Sequence, residues 1–443
     1  MQAELSKNIS FRIYGEFTIV IDHRAGRVLR MNRSAGLLLQ GIEKDLQGFG
    51  RREDFAFVEL LAQAGLVDLK SEGDQTANDT DKKGEQEESA PDQKRAGLGR
   101  VRDPEQESLI QQLNDFARER LIPVNCQIEL TERCPASCIH CYLKGTVPQP
   151  EEELSAEEIK AFLSQLAMQG GLFVTFTGGE PFMRDDFIEI FEHARNLRFA
   201  ASFITSGLGA TPEKLDRLIE AGIDLAEVSL HAPDQKTHDE IAACPGSWSA
   251  AWDTLRYLKD RGVSVRAAIS VHAKNADKIG ELESMLESQD IACRRTLTLL
   301  PRLDGKPYPD DLALDDTTLA TLLENQQENL PPRMVRMPAD GPLCSAARSE
   351  LALDAYGNIL PCILWREISG SVREHSLGYI WQESPQLDRI RSYRPDMLLE
   401  CRDCELMEGC NRCSGLALSC GCDVLGKSPI DCQRAHIRSN LQK

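Results

Sequence analysis

Strand-like apolar runs recur six times between residues 126 and 300, and amphipathic stretches separate them. The runs are Cys126–Glu132, Phe173–Thr177, Ala200–Thr205, Asp224–Leu230, Val263–Val271 and Arg294–Leu300. The amphipathic stretches lie near 155–169, 185–197, 211–221, 247–261 and 275–288, and several begin with Ser, Thr or Asp in a capping position. This alternation predicts an α/β fold with a parallel sheet, open or closed into a barrel.

Polar or glycine-rich loops follow four of these predicted strands. They are a cysteine loop at 134–141, the Thr-Gly-Gly-Glu-Pro turn at 177–181, Ser206–Gly207 and Ser229–His231. In βα barrels, chemistry is carried by loops at the carboxyl ends of the strands. We therefore expect the four loops to meet on one functional face.

The first loop carries Cys134, Cys138 and Cys141 at C-x3-C-x2-C spacing. Three such thiolates can bind three irons of a [4Fe–4S] cluster. A closed electron-transfer cluster normally takes four cysteines, so the fourth iron is left for a small molecule. Zinc also favours closely spaced Cys and His, and His140 is the fourth ligand in that alternative.

The cysteine loop and the Gly-Gly-Glu turn one βα unit later resemble those of radical S-adenosylmethionine (SAM) enzymes, specifically the SPASM subgroup, over residues 100–443. The resemblance implies a partial (β/α)6 TIM-like barrel whose three loop cysteines bind a cluster, with SAM on its fourth iron. The SAM-contacting positions that it implies are Tyr142, Gly178, Gly179, Glu180, Ser206 and Ser229. The tyrosine packs near adenine, the turn receives the methionyl amino group, and the serines touch ribose or carboxylate.

A second cysteine group begins at Cys344 and resembles the SPASM extension, which holds two auxiliary [4Fe–4S] clusters. Its spacing is C-x12-G-x4-C, then C-x2-C-x5-C-x2-C and a last cysteine. The resemblance assigns Cys401, Cys404, Cys410 and Cys432 to the distal cluster, and Cys344, Cys362 and Cys413 to the nearer one. A pair of structural zinc sites is the alternative for this block.

The nearer auxiliary cluster lacks an obvious fourth ligand. The family usually supplies a cysteine a few residues before the first one, and residues 334–343 contain none. We expect either an open iron that can take a substrate thiolate, or a ligand from Cys420 or Cys422.

The first 70 residues are predicted to form a small winged-helix-like module. Strands at Phe17–Asp22 and Arg27–Met31 flank a turn, and helical patterns follow at 33–42 and 53–64. The module resembles RiPP recognition elements, which bind the leader of a ribosomally made precursor peptide by adding it as a strand. A DNA-binding winged helix is the alternative.

Composition sets the domain limits and excludes some partners. Residues 71–100 are polar and predict a disordered linker, which leaves a module at 1–70, a barrel at 101–320 and a SPASM domain at 321–443. A net charge of −19 argues against nucleic acid. With no long apolar run or signal peptide, we expect a cytoplasmic protein without a membrane partner, whose fifteen cysteines serve metals.

By resemblance, the reduced cluster cleaves SAM to methionine and a 5′-deoxyadenosyl radical, which takes a hydrogen atom from a bound peptide. We expect a maturase that forms a thioether or related crosslink in a ribosomal precursor peptide. Its three clusters draw electrons from a reductase such as a flavodoxin or ferredoxin. Two alternatives stay open: a SPASM enzyme acting on a haem precursor or a sulfatase-type protein, and a non-enzymatic iron–sulfur redox or DNA-binding sensor.

Overall fold

The computed structural model describes most of the chain from residue 104 onward and part of the N-terminal module. The described residues are 2–5, 9–15, 17–23, 27–32, 36–37, 39–40, 67–70, 104–143, 152–304, 310–324, 341–407 and 410–441. Of the predicted helix at 33–42, the described residues 36–37 and 39–40 are helical. The predicted helix at 53–64 and the predicted linker at 71–100 lie outside the described residues.

The N-terminal module contains more strands than the sequence predicted. Its strands are β1 (Gln2–Leu5), β2 (Ile9–Tyr14), β3 (Phe17–Asp22), β4 (Arg27–Asn32) and β5 (Val67–Lys70). The predicted hairpin is β3–β4, and β2 adds to it as a third antiparallel strand. Strand β1 pairs with β5, which joins the two ends of the module.

The six predicted barrel strands form one parallel sheet, as the alternation of elements indicated. They are β6 (Asn125–Glu129), β7 (Phe173–Thr177), β8 (Ala200–Thr205), β9 (Leu225–Ser229), β10 (Val265–Ser270) and β11 (Ala292–Thr296). Each strand pairs with its successor in chain order. Two strands of the C-terminal region, β12 (Glu350–Leu353) and β13 (Ile359–Leu360), extend the sheet beyond β6, with β12 parallel to it.

Helices connect the strands of the parallel sheet, and further helices precede it or follow it in the C-terminal region. They are α1 (Pro104–Arg120), α2 (Ala156–Met168), α3 (Phe187–Asn196), α4 (Pro212–Ala221), α5 (Gln235–Ala242), α6 (Ser247–Asp260), α7 (Ile279–Ser288), α8 (Asp316–Glu324), α9 (Leu377–Glu383), α10 (Pro385–Ser392), α11 (Ser414–Ser419) and α12 (Pro429–Leu441). The capping signals act as expected: Ser155 and Glu158 form a capping box on α2, and Thr211 caps α4. Helix α5, inserted before α6, was not predicted.

Side chains alternate between the two faces of the central sheet. Phe176 and Phe203 point toward the helices, where they pack against Phe187 and Phe191 of α3 in the main core. Residues between them on each strand face the other way, as the pleat requires. Within the described residues, no helix combines the length and apolar character needed to cross a membrane.

The N-terminal sheet docks on the amino end of the barrel. Tyr14, Ile19 and Ile21 share a core with Val124 and Leu172, which lie immediately before β6 and β7. Arg12 donates to the carbonyls of Gly171 and Leu197 at 2.6 and 2.7 Å. The module is therefore packed against the barrel, on the side opposite the loops that follow the strands.

A buried polar network completes this docking. The His23 imidazole bonds Ser10 through Nε2 at 2.8 Å and Asp224, just before β9, through Nδ1 at 2.9 Å. Arg195 of α3 donates to the Ser10 hydroxyl at 2.7 Å. These bonds satisfy polar groups that the interface removes from water, so they hold the two bodies in one orientation.

Candidate active site

The three-cysteine loop leaves β6 at the carboxyl end of the sheet and is tied to α5. The backbone N–H groups of Ser137 and Ile139 donate to the carbonyls of Ala242 and Ile241 at 3.0 and 2.9 Å. The last carbonyls of α5 have no partner within that helix, so the loop supplies what the helix end requires. The unpredicted helix thus fixes the loop.

The loop thiols lie close enough to influence one another electrostatically. Burial, followed by the Cys141 and Cys134 thiols, raises the pKa of Cys138 to about 12. Burial also raises the pKa of Cys134 to about 11, with Cys141 and Cys244 among its charged neighbours. Thiols so placed lose their protons only when a metal binds, and they fit the donor set of an iron–sulfur cluster.

The Gly-Gly-Glu turn packs directly on the cysteine loop. Gly178 has φ of +120°, and a Cβ there would lie 2.4 Å from the Thr131 carbonyl oxygen. A Cβ on Gly179 would lie 2.3 Å from the Arg133 carbonyl oxygen. The absence of side chains at both glycines therefore lets the turn approach the loop backbone closely, and their contact with SAM stays a prediction.

Glu180 joins the turn to the next strand end. Its carboxylate is fully buried and accepts hydrogen bonds from the Thr205 hydroxyl at 2.7 Å and from the Ser206 N–H at 2.7 Å, and also from the Ser206 hydroxyl. Burial raises the pKa of Glu180, and these donors oppose that shift. Ser206 thus holds Glu180, while Ser229 is the last residue of β9, at the same end of the sheet.

Tyr142 lies between the cysteine loop and the C-terminal region. Its hydroxyl donates to Glu129 at the end of β6 at 2.6 Å. The same carboxylate accepts a bidentate pair from Arg366, with both distances 2.8 Å. Burial, followed by the Glu129 charge, raises the pKa of Tyr142. The three residues connect the cysteine loop to the segment that follows Cys362.

Four histidines cluster within and beside the cysteine loop, and of these the sequence had given a role only to His140, as a ligand in the zinc alternative. His140 contacts the rings of His231 and His272 at centroid distances of 4.6 and 5.3 Å, and His238 stacks on His231. Burial lowers the pKa of His238 and His272 to about 4, so both are neutral at physiological pH. His272 Nε2 is buried and makes no hydrogen bond within the described residues, so it can serve a bound ligand.

The position of these histidines was readable in part from the sequence. His231 and His272 directly follow β9 and β10, where functional residues of a parallel barrel lie. Asn275 fixes that geometry by donating to the carbonyls of His231 and Ser270 at 2.8 and 3.0 Å. His238 lies on the unpredicted helix α5, so only the tertiary fold shows that its ring stacks on His231.

The C-terminal cysteines fall into two sets. Burial raises the pKa of Cys362, and the Cys344 and Cys413 thiols add to the shift. The second set is Cys401, Cys404, Cys410 and Cys432, linked through the charges that act on Cys410 and Cys432. Within the described residues, no three His, Cys, Asp or Glu side chains are close enough to hold a single metal ion, so both sets are spaced more widely than such a site.

Two family models match the chain in the regions just described. The radical SAM superfamily matches residues 128–284, which span the cysteine loop, the Gly-Gly-Glu turn and strands β7–β10. The SPASM iron–sulfur cluster-binding domain matches residues 344–414. The chain is therefore a radical SAM enzyme. More narrowly, it belongs to the SPASM subgroup, and its cofactors are [4Fe–4S] clusters and SAM.

Curated relatives cover most of the chain. The PqqA peptide cyclase of Rhizobium meliloti (strain 1021) is 28% identical over 348 residues, which is 72% of this chain and 90% of the relative. The PqqA peptide cyclase of Xanthomonas euvesicatoria is 28% identical over 344 residues, again 72% of this chain and 90% of the relative.

Solved structures share the whole fold at lower identity. SuiB of Streptococcus suis bound to its precursor peptide SuiA superimposes with a TM-score of 0.61 at 17% identity, covering 97% of this chain and 100% of SuiB. The enzyme anSMEcpe with bound AdoMet gives a TM-score of 0.55 at 15% identity, covering 72% of this chain and 91% of that one. The fold that unites the N-terminal sheet, barrel and cysteine-rich region therefore also occurs in SuiB.

Proposed function

We propose that this protein is a peptide maturase that installs a crosslink, of which a thioether is one form, in a ribosomally made precursor peptide. The observation that carries the proposal is the similarity to PqqA peptide cyclases over 72% of the chain. A reductase such as a flavodoxin or ferredoxin supplies its electrons in the cytoplasm, and neither nucleic acid nor a membrane takes part.

The predicted cluster ligands and their neighbours have separate roles. When bound, the clusters and SAM supply a carbon radical that removes a hydrogen atom from the peptide. Cys134, Cys138 and Cys141 hold the SAM-binding cluster, and the glycine turn with Glu180 fixes the shape of that loop. The other two clusters are held by the two C-terminal cysteine sets. Neutral His272 offers Nε2 to a ligand without adding a charge.

The N-terminal sheet supports the recognition of a leader peptide. Among the described residues, β4 pairs with β3 alone and is an edge strand of this sheet. An extended peptide can add there as a fourth strand. On this edge strand, the guanidinium of exposed Arg30 lies 4.6 Å from the centroid of the Phe17 ring, which packs against the core between the sheet and the barrel.

The N-terminal sheet and the cysteine loop lie at opposite ends of the barrel, and this separation sets a minimum length for the peptide. The sheet docks before β6–β9, and the cysteine loop and histidines follow those strands. A strand of five or six residues is about 17–20 Å long. The modified residues should therefore be separated from the leader segment by at least about six extended residues, at about 3.3 Å each.

Co-expression with short peptides encoded beside the gene tests the proposal. We expect one such peptide to lose two hydrogen atoms per crosslink, measured by intact mass, and a thioether to make one cysteine resistant to alkylation. The variant in which Cys134, Cys138 and Cys141 are all alanine is the control and should give unmodified peptide. SAM cleavage without binding or modification of any such peptide would favour the haem-precursor or sulfatase-type alternative, and absence of SAM cleavage would favour the sensor.

A further inference from the structure

The nearer auxiliary site has one more potential ligand besides its three thiols. Glu350 begins β12, six residues after Cys344, and it is partly buried. It lies outside the cysteine pattern, so the sequence did not mark it.

The backbone folds Glu350 back onto both cysteine segments. The Ser345 carbonyl accepts hydrogen bonds from the N–H groups of Arg348, Ser349 and Glu350 at 3.0, 3.0 and 3.2 Å. Ala347 lies between the two segments, since its N–H bonds the carbonyls of Glu350 at 3.1 Å and Pro361 at 3.0 Å. Glu350 therefore lies in one tight turn with the neighbours of Cys344 and Cys362.

This turn is rigid. Ala347 is fully buried with φ of +61°, a conformation that a non-glycine residue keeps only when its surroundings enforce it. Arg391 of α10 donates through Nε to the Ala347 carbonyl at 2.7 Å. The position of the Glu350 carboxylate relative to the two thiols is thus set by the fold.

The strand register places the Glu350 side chain on the same side of the hairpin as the Cys362 side chain. Strands β12 and β13 pair Leu353 with Ile359 and Ala352 with Leu360, and the same antiparallel register sets Glu350 opposite Cys362. Glu350 is partly buried, and no hydrogen bond or ion pair to its carboxylate occurs among the described residues. A carboxylate withdrawn from water is normally paired or bound to a metal.

We propose that Glu350 coordinates the fourth iron of the cluster held by Cys344, Cys362 and Cys413. The site then has three thiolates and one carboxylate, and its iron is closed before any substrate arrives. The competing ligand Cys420 has Cys422 and Asp431 as its charged neighbours. The inference rests on the cluster assignment that the proposed function also uses, but not on the peptide or its crosslink.

The test uses full-length protein in which Cys134, Cys138 and Cys141 are alanine, reconstituted anaerobically, so that only the auxiliary clusters contribute. Glu350→Ala, Glu350→Cys and Glu350→Gln are compared with this parent, and exposed Glu374→Ala is the matched control. The probe is ¹³C-cyanide, detected by its hyperfine coupling in pulsed EPR of the reduced protein.

We expect ¹³C coupling in Glu350→Ala but not in the parent, Glu350→Cys or Glu374→Ala, together with an altered cluster spectrum in Glu350→Cys. If Glu350→Ala loses the cluster, a deficit of about four irons that Glu350→Cys restores supports the same ligation. Cyanide binding to the parent equal to that of Glu350→Ala overturns the proposal, and so does a parent-like spectrum in Glu350→Cys. Peptide modification is not part of this readout, so a failed proposed function would leave the result standing.

Discussion

The two ends of the central sheet differ in how their buried polar groups find hydrogen-bond partners. At the amino end, Ile21 and Leu172 close an apolar interface, and His23 and Asp224 are buried there as hydrogen-bond partners of each other. At the carboxyl end, His272 Nε2 is buried without a hydrogen-bond partner among the described residues. The docking network at the amino end is satisfied by folding alone, whereas His272 at the carboxyl end remains available to what the site binds.

This contrast changes how the N-terminal module is understood. The disordered linker predicted at 71–100 would by itself suggest a module that is separable from the barrel. The docking shows instead that removal would uncover Val124 and Leu172 and leave Asp224 without its histidine. Truncation of residues 1–70 therefore tests stability as well as peptide binding, and single substitutions separate the two better.

The largest expected effect is at the carboxyl end. Changing Cys134, Cys138 and Cys141 together to alanine should abolish 5′-deoxyadenosine formation and remove about four irons per chain, while the auxiliary iron stays. Chromatography of the nucleoside and iron analysis measure both. Cys293→Ala is the control, since that thiol contacts Glu283 rather than the loop, and it should keep full cleavage. Cleavage that persists in the triple variant would refute the site.

The second-largest expected effect comes from breaking the ion pair that connects the cysteine loop to the C-terminal region. Arg366→Ala leaves the buried Glu129 carboxylate without its cation, which typically costs about 3–5 kcal/mol. Anaerobic denaturant unfolding measures the loss, and we also expect less crosslink per 5′-deoxyadenosine formed. Arg389→Ala breaks an exposed ion pair with Glu367 in the same region and should cost at most about 1 kcal/mol. Equal losses in the two variants would contradict a buried bridge.

At the amino end, Ile21→Ala should lower the free energy of unfolding by about 2–5 kcal/mol, because it opens a cavity between the module and the barrel. SAM cleavage by the folded fraction should not change. Leu37, which is 49% exposed, is the control, and Leu37→Ala should have little effect. A negligible loss in Ile21→Ala would mean that the two bodies do not depend on one another.

The smallest expected effect is a pH dependence from His23. Burial lowers its pKa, against the opposing effect of Asp224, and Arg195 and Asp22 also face it. The unfolded chain therefore takes up the proton first, so stability is full above about pH 6.5 and falls as the pH drops below that value. Urea unfolding should show a weaker decline below about pH 6.5 in His23→Gln than in the unchanged protein. Exposed His375→Gln is the control, and an identical decline in all three would exclude His23 as the source.

Local sequence patterns were enough to predict the parallel sheet and the chemical class of the protein. Apolar runs and capping residues located the barrel strands and most connecting helices to within a few residues, because those signals depend on near neighbours in the chain. The last strand was the least accurate, since β11 ends at Thr296 rather than Leu300. The spacing of thiols on one short loop predicted a cluster because a loop brings its own ligands together.

Only the tertiary structure decided which distant residues meet. It placed β12 beside β6 and brought Arg366 to Glu129. It also set the N-terminal sheet on the amino end of the barrel through His23 and Asp224. These contacts join segments up to about 240 residues apart, as in the 237-residue separation of Arg366 and Glu129. Each depends on burial and on the fit of two surfaces, and neither property is present in a local stretch of sequence.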